Sequence, residues 1–434
     1  MVKTMYVKIG TTNYTKLKNL SFMPQVDIVG DSIPINEFSV QIKTTDEIKV
    51  GQWAYLYDDL NDLWAKYWIM FSDRVDASFI QIKAQSIVAL LDRVYMDAAI
   101  YPSGVSAGTI IAACFTAAGV SSNYTVESSV SSASVTGYFP EQTARERLQW
   151  VCFATGAYVK QHSGQNVEIK KLDQSSLTYI PTSQTFWKPQ IDYRDYVTKI
   201  SITTYSFEAG TPDAGDQYVT VGDTNYIYTT QKITLTNGNA PETALPSEIN
   251  IDGCYIMTDD NADDVASRLA MLYFARTEVS ADIINNNEYY PPKRVGVHVD
   301  EGLGAVGYIE SADFKFGLQA RSTLKVVASE TVPLAELVIN YVFNGATVAT
   351  RTYNFPVGYE YSILNPYVDV SSGEHRYVYR PLTEYCEGTM TSGVNTKTVQ
   401  CELALHWYSE YQLLRIISVS DVEFDSGDAT VVIG

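Results

Sequence analysis

The amino-acid sequence predicts a mainly β protein that carries α+β inserts. It contains 32 tyrosines and many valine, isoleucine and threonine residues, which pack well on the pleated surface of a sheet. Glycine, asparagine and aspartate recur about every ten residues, as expected for turns between antiparallel strands. With 434 residues, 46% of them hydrophobic and 19% charged, the chain is long enough for roughly two to four folded domains.

Residues 1–100 predict a first β-barrel of successive strands. Within it, the stretch VGQWAYLYDDLNDLWAKYWIMFSDRVDASFIQIKAQS begins at Val50. A strand follows Gly51, the polar residues 58–62 reverse the chain, and a second strand runs through residues 67–69. Two further strands complete the stretch.

Residues 291–329 have the same layout as this stretch. A strand is predicted at residues 295–299, a second at residues 307–311, and two more follow. The identities between the two stretches are few, so the repeat is one of architecture. We therefore predict a second β-barrel over residues 181–330.

The second barrel is expected to open with a strand at residues 197–202 and to contain an inserted segment at about residues 205–290. A helix is predicted in this insertion from about residue 263 to residue 276, with Asn261 as its cap. The apolar stripe of this helix is formed by Val265, Leu269 and Leu272.

Residues 101–180 predict a helix-plus-hairpin insert between the barrels. A first helix is expected at about residues 107–118 and ends at Gly119. A hairpin with strands at residues 158–162 and 167–169 closes the insert.

A second helix of this insert has clear start and stop signals. Thr143 and Glu146 have the spacing of a capping box, in which each side chain bonds the backbone N–H of the other. Gly156 ends the helix. One face is predicted to be apolar and the other polar. The apolar face carries Leu148, Val151, Cys152 and Thr155, and the polar face carries Arg145, Arg147 and Gln149.

Residues 331–434 predict a separate small β domain. Asn344 and Gly345 form a typical two-residue hairpin turn between two strand-like runs. Further strands are predicted in the runs RYVYRP, GTMTSGVNTKTVQCELAL and LLRIISVSDVEFDSGDATVVIG.

The formal net charge of −19 argues against sequence-specific nucleic-acid binding, because phosphate binding requires clustered lysine and arginine. An acidic conduit that DNA passes without sticking is compatible with this charge. No segment has the length of a membrane span or the pattern of a signal peptide, so we expect synthesis and folding in a cytoplasm. Five widely spaced cysteines predict neither a disulfide framework nor a zinc site. These are Cys114, Cys152, Cys254, Cys386 and Cys401.

Catalytic, cofactor-binding and metal-binding motifs are not found in the sequence, and the chain is predicted not to be an enzyme. The four histidines lie on predicted strands or strand edges, outside any metal-binding spacing. They are His162, His298, His375 and His406. The acidic runs at residues 58–62 and 259–264 lack the spacing of a calcium loop, and we interpret them as a solvated turn and a helix start. A hydrolase with a carboxylate pair assembled by the fold stays open.

One aromatic group of the first barrel has two possible roles. Aromatic residues are typical of both interface hot spots and cores. Strand alternation implies that some of these side chains point inward and others outward. The group comprises Trp53, Tyr55, Tyr57, Trp64, Tyr67 and Trp68.

The order of elements over residues 1–330 resembles that of hub or tail-tip proteins from bacteriophage tails and related contractile injection systems. The resemblance is carried by residues 51–58, 64–69, 84–93, 143–159 and 293–311. It implies two tail-tube-like barrels per chain and a homotrimer that joins a sixfold tube to a threefold tip. The implied partners are the tail tube, distal tail proteins and a tip spike or fibre, and the implied location is the virion.

The C-terminal stretch resembles β-grasp repeats of Gram-positive surface proteins, including mucin-binding-like repeats. The matching runs are residues 337–341, 355–361, 365–367 and 388–390, whereas the segment after Tyr408 departs from the pattern. This resemblance implies an alternative function, the binding of host cell-surface glycan by the C-terminal domain.

Overall fold

The computed structural model is mainly β with a few helices. It describes residues 4–180, 184–285, 288–300, 303–316, 321–343, 346–356, 385–392, 395–407, 412–418 and 429–433. The chain divides into two compact units. Unit 1 comprises residues 1–176, 192–294 and 308–329, and unit 2 comprises residues 177–191, 295–307 and 330–434.

Unit 1 begins with a seven-stranded antiparallel sheet. Its strands are β1 (Met5–Ile9), β2 (Thr12–Tyr14), β3 (Leu17–Met23), β4 (Glu37–Lys43), β5 (Trp53–Asp58), β6 (Leu63–Arg74) and β7 (Phe79–Gln85). Hydrogen-bonded neighbours follow the order β2, β1, β5, β6, β7, β4, β3. Of the four strands predicted for residues 50–86, three are found as β5, β6 and β7. The prediction of two further strands after residues 67–69 was wrong, because β6 continues to Arg74 and only β7 follows it.

The helix-plus-hairpin insert follows this sheet. Its elements are α1 (Val88–Leu91), β8 (Tyr95–Met96), β9 (Ala99–Ser106), α2 (Ala107–Ala117), β10 (Tyr124–Val126), α3 (Ser128–Ser131), β11 (Ser134–Phe139), β12 (Gln142–Thr143), α4 (Ala144–Thr155), β13 (Ala157–Lys160) and β14 (Val167–Lys171). Helix α2, helix α4 and the β13–β14 hairpin confirm the predicted elements.

A separate four-stranded sheet and a long helix come next. This part of the chain contains β15 (Thr178–Ile180), β16 (Gln190–Tyr193), β17 (Lys199–Ala209), β18 (Tyr218–Val221), β19 (Thr224–Thr236), β20 (Glu248–Ile251) and α5 (Asp259–Tyr273). Of the strand predicted at residues 197–202, residues 199–202 lie in β17, which pairs with β19 and β20 in a sheet separate from β22, β23 and β24. β18 extends the sheet beyond β19.

Helix α5 begins earlier than the sequence predicted. Its cap is Thr258, and Asn261 is the third residue of the helix, so the assignment of Asn261 as the cap was wrong. Thr258 and Asn261 form a capping box together, which is why both residue types stand at this spacing. The predicted stripe of Val265, Leu269 and Leu272 is buried.

The remaining strands are β21 (Thr277–Ile284), β22 (Arg294–Asp300), β23 (Leu303–Lys315), β24 (Arg321–Phe343), β25 (Ala346–Pro356), β26 (Tyr385–Ser392), β27 (Asn395–Trp407), β28 (Gln412–Ser418) and β29 (Ala429–Ile433). In unit 1, β21 pairs with the first part of β24, and β23 pairs with β3 of the first sheet. In unit 2, β15 pairs with β22, the second part of β24 pairs with β25 and β29, and β26 pairs with β27 and β29.

The largest core of unit 1 joins the helices to the four-stranded sheet. Ile110 of α2, Leu148 of α4 and Leu269 of α5 are buried in one cluster with Ile200 and Ile202 of β17. A core of this kind holds the helices in fixed positions, because close-packed side chains leave little room to shift.

Candidate assembly surfaces

Helix α4 starts with the capping box that the sequence predicts. The backbone N–H of Glu146 donates to Oγ1 of Thr143 at 3.1 Å, and the backbone N–H of Thr143 donates to Oε2 of Glu146 at 2.8 Å. The helix ends at Gly156, whose φ of +72° is in the left-handed region. Both ends of α4 are therefore encoded locally, by a side-chain cap at the start and by a glycine in the left-handed conformation at the end.

Replacing Thr143 with alanine should lower the free energy of unfolding by about 1 kcal/mol, because the backbone N–H of Glu146 loses its acceptor at a buried position. Chemical denaturation measures this change. The matched control is Thr116→Ala at an exposed position of α2, where no cap is lost and little change is expected. Equal effects of the two substitutions would argue against the cap.

Helix α4 is bound to the loop between β3 and β4. Arg145 donates through Nη1 to the carbonyl oxygen of Ile33 at 3.0 Å and through Nε to Asp92 at 2.8 Å. The side chain of Gln149 donates to the carbonyl oxygen of Asp31. These side chains fasten the insert to the first sheet of unit 1.

Arg147 was predicted to lie on the polar face of α4, and this prediction was wrong. Its side chain is buried, and its guanidinium donates to the carbonyl oxygens of Asp97, Met96 and Pro140. It also lies over the ring of Phe139. Buried carbonyl groups need donors, and one arginine supplies several of them. Burial lowers the pKa of Arg147.

The β13–β14 hairpin contacts two distant parts of unit 1. The side chain of Gln161 donates to the carbonyl oxygen of Pro34 at 2.7 Å, and the backbone N–H of Ser163 donates to the carbonyl oxygen of Trp64 at 2.9 Å. On its other side, Nε2 of His162 lies 2.7 Å from the carbonyl oxygen of Pro291. The hairpin therefore links the first sheet to the segment that precedes β22.

Helix α5 is fastened to the same module through one arginine. The guanidinium of Arg268 donates to the carbonyl oxygen of Phe153, near the C-terminal end of α4. It also fills the space beside Gly156, where an added Cβ would lie 2.7 Å from Nη1 of Arg268. The insert thus connects the first sheet, residue 291 and α5, which is the arrangement expected of a structural brace.

The aromatic group of the first sheet separates into an inner and an outer set, as strand alternation requires. Trp64 and Tyr67 are buried at 4% and 0% exposure and belong to the core. Trp53, Tyr55, Tyr57 and Trp68 are half-exposed on the opposite face of β5 and β6. The structure therefore assigns Trp64 and Tyr67 to the core, and the interface alternative applies to the outer four residues.

We define the outer set and its neighbours as the aromatic face. Tyr6 of β1 stacks on Tyr57 with ring centroids 5.2 Å apart, and Trp53 contacts the edge of Trp68 at 4.9 Å. Lys66 lies over Trp53 at 4.9 Å, and burial lowers its pKa. The aromatic face consists of Tyr6, Lys8, Trp53, Tyr55, Tyr57, Lys66 and Trp68.

One stretch of unit 1 is strongly acidic. Residues 200–267 contain eleven aspartates and glutamates against the single basic residue Lys232, and so carry −10 of the chain's net charge of −19. This concentration is visible in the sequence as a run of acidic residues, although no motif marks it. Among the described contacts, Lys232 forms an ion pair with Glu248 at 3.3 Å.

Part of this charge lines a cleft of about 400 Å³ between β17, β19 and the start of α5. Hydroxyl groups of Thr204, Ser206 and Thr229 lie along the strands, and Asp259 and Asp260 stand at the helix start. Strand alternation puts Glu208 on the same face as Thr204 and Ser206. We call the cleft together with Glu208 the acidic cleft.

The acidic turn at residues 58–62 differs in one respect from the predicted solvated turn. Asp58 is fully buried, and its carboxylate accepts from the backbone N–H groups of Leu60 and Asp62 at 3.1 and 2.9 Å. It also accepts from the indole of Trp64 at 3.2 Å. Asp58 therefore organises the β5–β6 turn, whereas the other acidic residues of the turn are exposed.

Potentially reactive side chains in the described part of the chain lie in surroundings that disfavour reaction. Cys114 and Cys254 are buried, and burial raises the pKa of each to about 12, which disfavours the thiolate. Within the described ranges, no group of three or more His, Cys, Asp or Glu side chains is placed to hold a metal ion. In unit 2, Cys386 of β26 lies directly opposite Cys401 of β27 in the strand register. The spacing of the two residues in the sequence did not indicate that they are cross-strand neighbours.

Solved structures of tail proteins share this fold. A tail protein from Neisseria meningitidis matches 75% of this chain and 97% of its own length, with a TM-score of 0.56 and 10% identity. A 43 kDa tail protein of prophage MuSo2 from Shewanella oneidensis matches 76% of this chain and 100% of its own length, with a TM-score of 0.53 and 15% identity. The chain is structurally similar to phage and prophage tail proteins.

At the sequence level, no model of a known protein family and no curated protein matches the chain. No helix in the described residues is long and apolar enough to cross a membrane.

The predicted C-terminal domain is described only in part. Pairing of Phe343 with Ala346 confirms a hairpin at the predicted position, while Asn344 and Gly345 themselves lie outside the described residues. The predicted run RYVYRP and the glycan-related positions 357–361 and 365–367 also lie outside them. The resemblance to β-grasp repeats therefore stays a prediction from sequence.

Proposed function

We propose that this chain is a non-enzymatic structural protein of a phage or phage-like tail, and that it acts as a trimeric hub at the distal end. The observation that carries the proposal is the fold shared with two tail proteins over three quarters of the chain. In this function the chain joins the sixfold tail tube to a threefold tip and forms part of the conduit for DNA or effectors.

The strand layout supports this proposal in physical terms. The repeated layout of residues 50–86 and 291–329 corresponds to two tail-tube-like barrels per chain, so that three chains offer six similar surfaces to a tube ring. The pairing of β3 with β23 and the contacts of the β13–β14 hairpin hold the two halves of unit 1 together. A rigid connection of this kind is what an adaptor between two symmetries needs.

The proposed partners are the tail tube and distal tail proteins on one side and a tip spike or fibre on the other. The net charge of −19 fits a protein beside a path for DNA, because like charge prevents the polyanion from adhering. The proposed location is the tail tip of the virion.

Native mass spectrometry of the full-length chain, with negative-stain images, tests this function. We expect a mass of three 48.3 kDa chains and a ring with a central hole, formed either by the chain alone or on rings of the tail-tube protein from the same phage. A chain that stays monomeric both alone and with tube rings would contradict the hub, and a dimer or an open filament would contradict its threefold symmetry.

A further inference from the structure

The aromatic face is covered at one end, where Trp53 packs against the core of the insert and, with Lys66, borders the β13–β14 hairpin. At its other end Tyr6, Lys8, Tyr55 and Tyr57 are half-exposed. Its five aromatic side chains lie on adjacent strands, because the register pairs Tyr6 with Tyr57 and Trp53 with Trp68. Two exposed apolar residues extend it: Leu60, 70% exposed, in the β5–β6 turn, and Val50, 58% exposed, before β5. Contiguous aromatic surfaces of this kind mark protein interfaces, where tyrosine and tryptophan contribute most of the binding energy.

The two lysines of this face indicate the charge of its partner. Within the described ranges, neither Lys8 nor Lys66 forms an ion pair, although ten other ion pairs are found in unit 1. Burial lowers the pKa of Lys66, so a nearby carboxylate would stabilise its charged form. A partner that covers this face should therefore present carboxylates.

The same chain carries a surface with that property. In the acidic cleft, Glu208, Asp259 and Asp260 are exposed, and their only described partner is the hydroxyl of Thr204, which donates to Asp259 at 2.8 Å. The cleft volume of about 400 Å³ is sufficient for the end of a lysine side chain together with water. A surface rich in hydroxyl and carboxylate groups can supply the hydrogen bonds that an ammonium group needs.

We infer that the aromatic face of one copy docks on the acidic cleft of a second copy of this chain. The two faces are different surfaces of the same unit, so the contact is head-to-tail, and a head-to-tail contact closes into a ring when its rotation fits. The inference deepens the proposed hub function and rests on it for the number of copies. The aromatic rings supply the apolar area, and the lysines and carboxylates select the partner and its register.

Charge reversal in the full-length chain tests this contact. Lys8→Glu with Lys66→Glu should raise the dissociation constant of the assembly at least tenfold, and so should Glu208→Lys with Asp260→Lys. The chain with all four substitutions reverses both faces and should assemble again. The matched control, Lys43→Glu with Lys171→Glu, makes the same change in net charge at exposed positions elsewhere and should assemble like the unmodified chain. Analytical ultracentrifugation at low and high salt measures all four.

A second variant guards against misfolding at Lys66. Tyr6→Ser with Tyr57→Ser removes two half-exposed rings that contact each other outside the core, and it should weaken assembly while circular dichroism and thermal unfolding stay near those of the unmodified chain.

The outcomes separate this contact from the hub itself. A trimer that resists both reversals overturns the contact and leaves the hub standing. Assembly through these faces into dimers or open chains supports the contact and removes the threefold hub. An unmodified chain that stays monomeric up to its solubility limit overturns the contact, as does an aromatic face that retains cell-wall glycan without self-association.

Discussion

Replacing Gly30 with alanine is expected to destabilise unit 1 by roughly 3–4 kcal/mol. Gly30 has a φ of +78°, which costs an alanine about 1–2 kcal/mol of backbone strain. In addition, a Cβ on Gly30 would lie 2.6 Å from the carbonyl oxygen of Ala157 and 3.1 Å from the backbone of Cys152. Both contacts are with backbone, so the loop would have to move away from the end of α4.

Gly10 is the matched control for this substitution. It has a φ of +58°, and a Cβ there would meet nothing within 4 Å. Gly10→Ala should therefore cost only the backbone strain, about 1 kcal/mol. Denaturant unfolding of both variants, followed by tryptophan fluorescence, measures the difference. If the two alanine variants were equally stable, close packing of the loop against α4 could not be what holds the first sheet to the insert.

The consequence for assembly is specific. The loop around Gly30 also accepts hydrogen bonds from Arg145 and Gln149 of α4. Displacing it should loosen the connection between the first sheet and the brace before either part unfolds. We therefore expect Gly30→Ala to weaken ring formation more than Thr143→Ala, although both positions contact α4.

Local signals in the sequence predicted the parts of this fold that depend on neighbouring residues. The capping box of Thr143 and Glu146 needs only three residues of spacing, and the β13–β14 hairpin needs only alternation and a polar turn. The buried stripe of α5 was predicted for the same reason, since Val265, Leu269 and Leu272 repeat with the period of a helix.

Features that depend on distant residues were not predictable in this way. Arg147 is buried because it serves the carbonyl oxygens of Asp97 and Pro140, which no local pattern connects to α4. One signal was present, since Arg147 precedes Val151 by four residues and so shares its face of the helix. The prediction nevertheless placed Arg147 on the polar face, because its side chain is charged. The pairing of β17 with β19 and β20 was hidden likewise, because strand pairing is a long-range choice.

In the two candidate surfaces, too, the features that depend on neighbouring residues were predictable from the sequence and those that depend on distant residues were not. Alternation predicted that the aromatic group has two faces, but only the register of β1, β5 and β6 shows that Tyr6 joins the outer set and that Lys66 covers Trp53. The acidic cleft could be recognised only in the folded chain, because β17 ends at Ala209 and α5 begins at Asp259, far apart in the sequence.

Acidification is expected to destabilise unit 1 through His162. The ring is buried, and its Nε2 must carry the proton, because the carbonyl oxygen of Pro291 at 2.7 Å can only accept. Nδ1 then accepts from the hydroxyl of Ser163 at 3.1 Å. Burial, together with the charge of nearby Lys160 and Lys170, lowers the pKa of His162 to about 3, against the opposing effect of Glu168.

The direction of the pH effect follows from this shift. The unfolded chain, with a histidine pKa near 6.5, binds the proton more readily than the folded chain, so stability is complete above pH 6.5 and falls as the pH decreases toward 3. Each pH unit in this window costs roughly 1.4 kcal/mol, so the loss at pH 4 is on the order of 3 kcal/mol. Protonation adds a hydrogen at Nδ1, which can then no longer accept from Ser163, whereas Nε2–H still donates to Pro291; the loss of stability comes from placing a charge in a buried site beside Lys160.

Unfolding midpoints of the full-length chain between pH 7 and pH 4 measure this effect, with His162→Gln as the comparison. Glutamine keeps an N–H donor for the carbonyl oxygen of Pro291 but does not titrate, so the variant should lose little stability at pH 7 and should remove most of the decline toward pH 4. If the decline is unchanged in the variant, carboxylates elsewhere are responsible. A steeper decline in the unmodified chain assigns the acid sensitivity to the buried ring of His162, which lies between the hairpin and residues 290–291, and so to the brace that an adaptor requires.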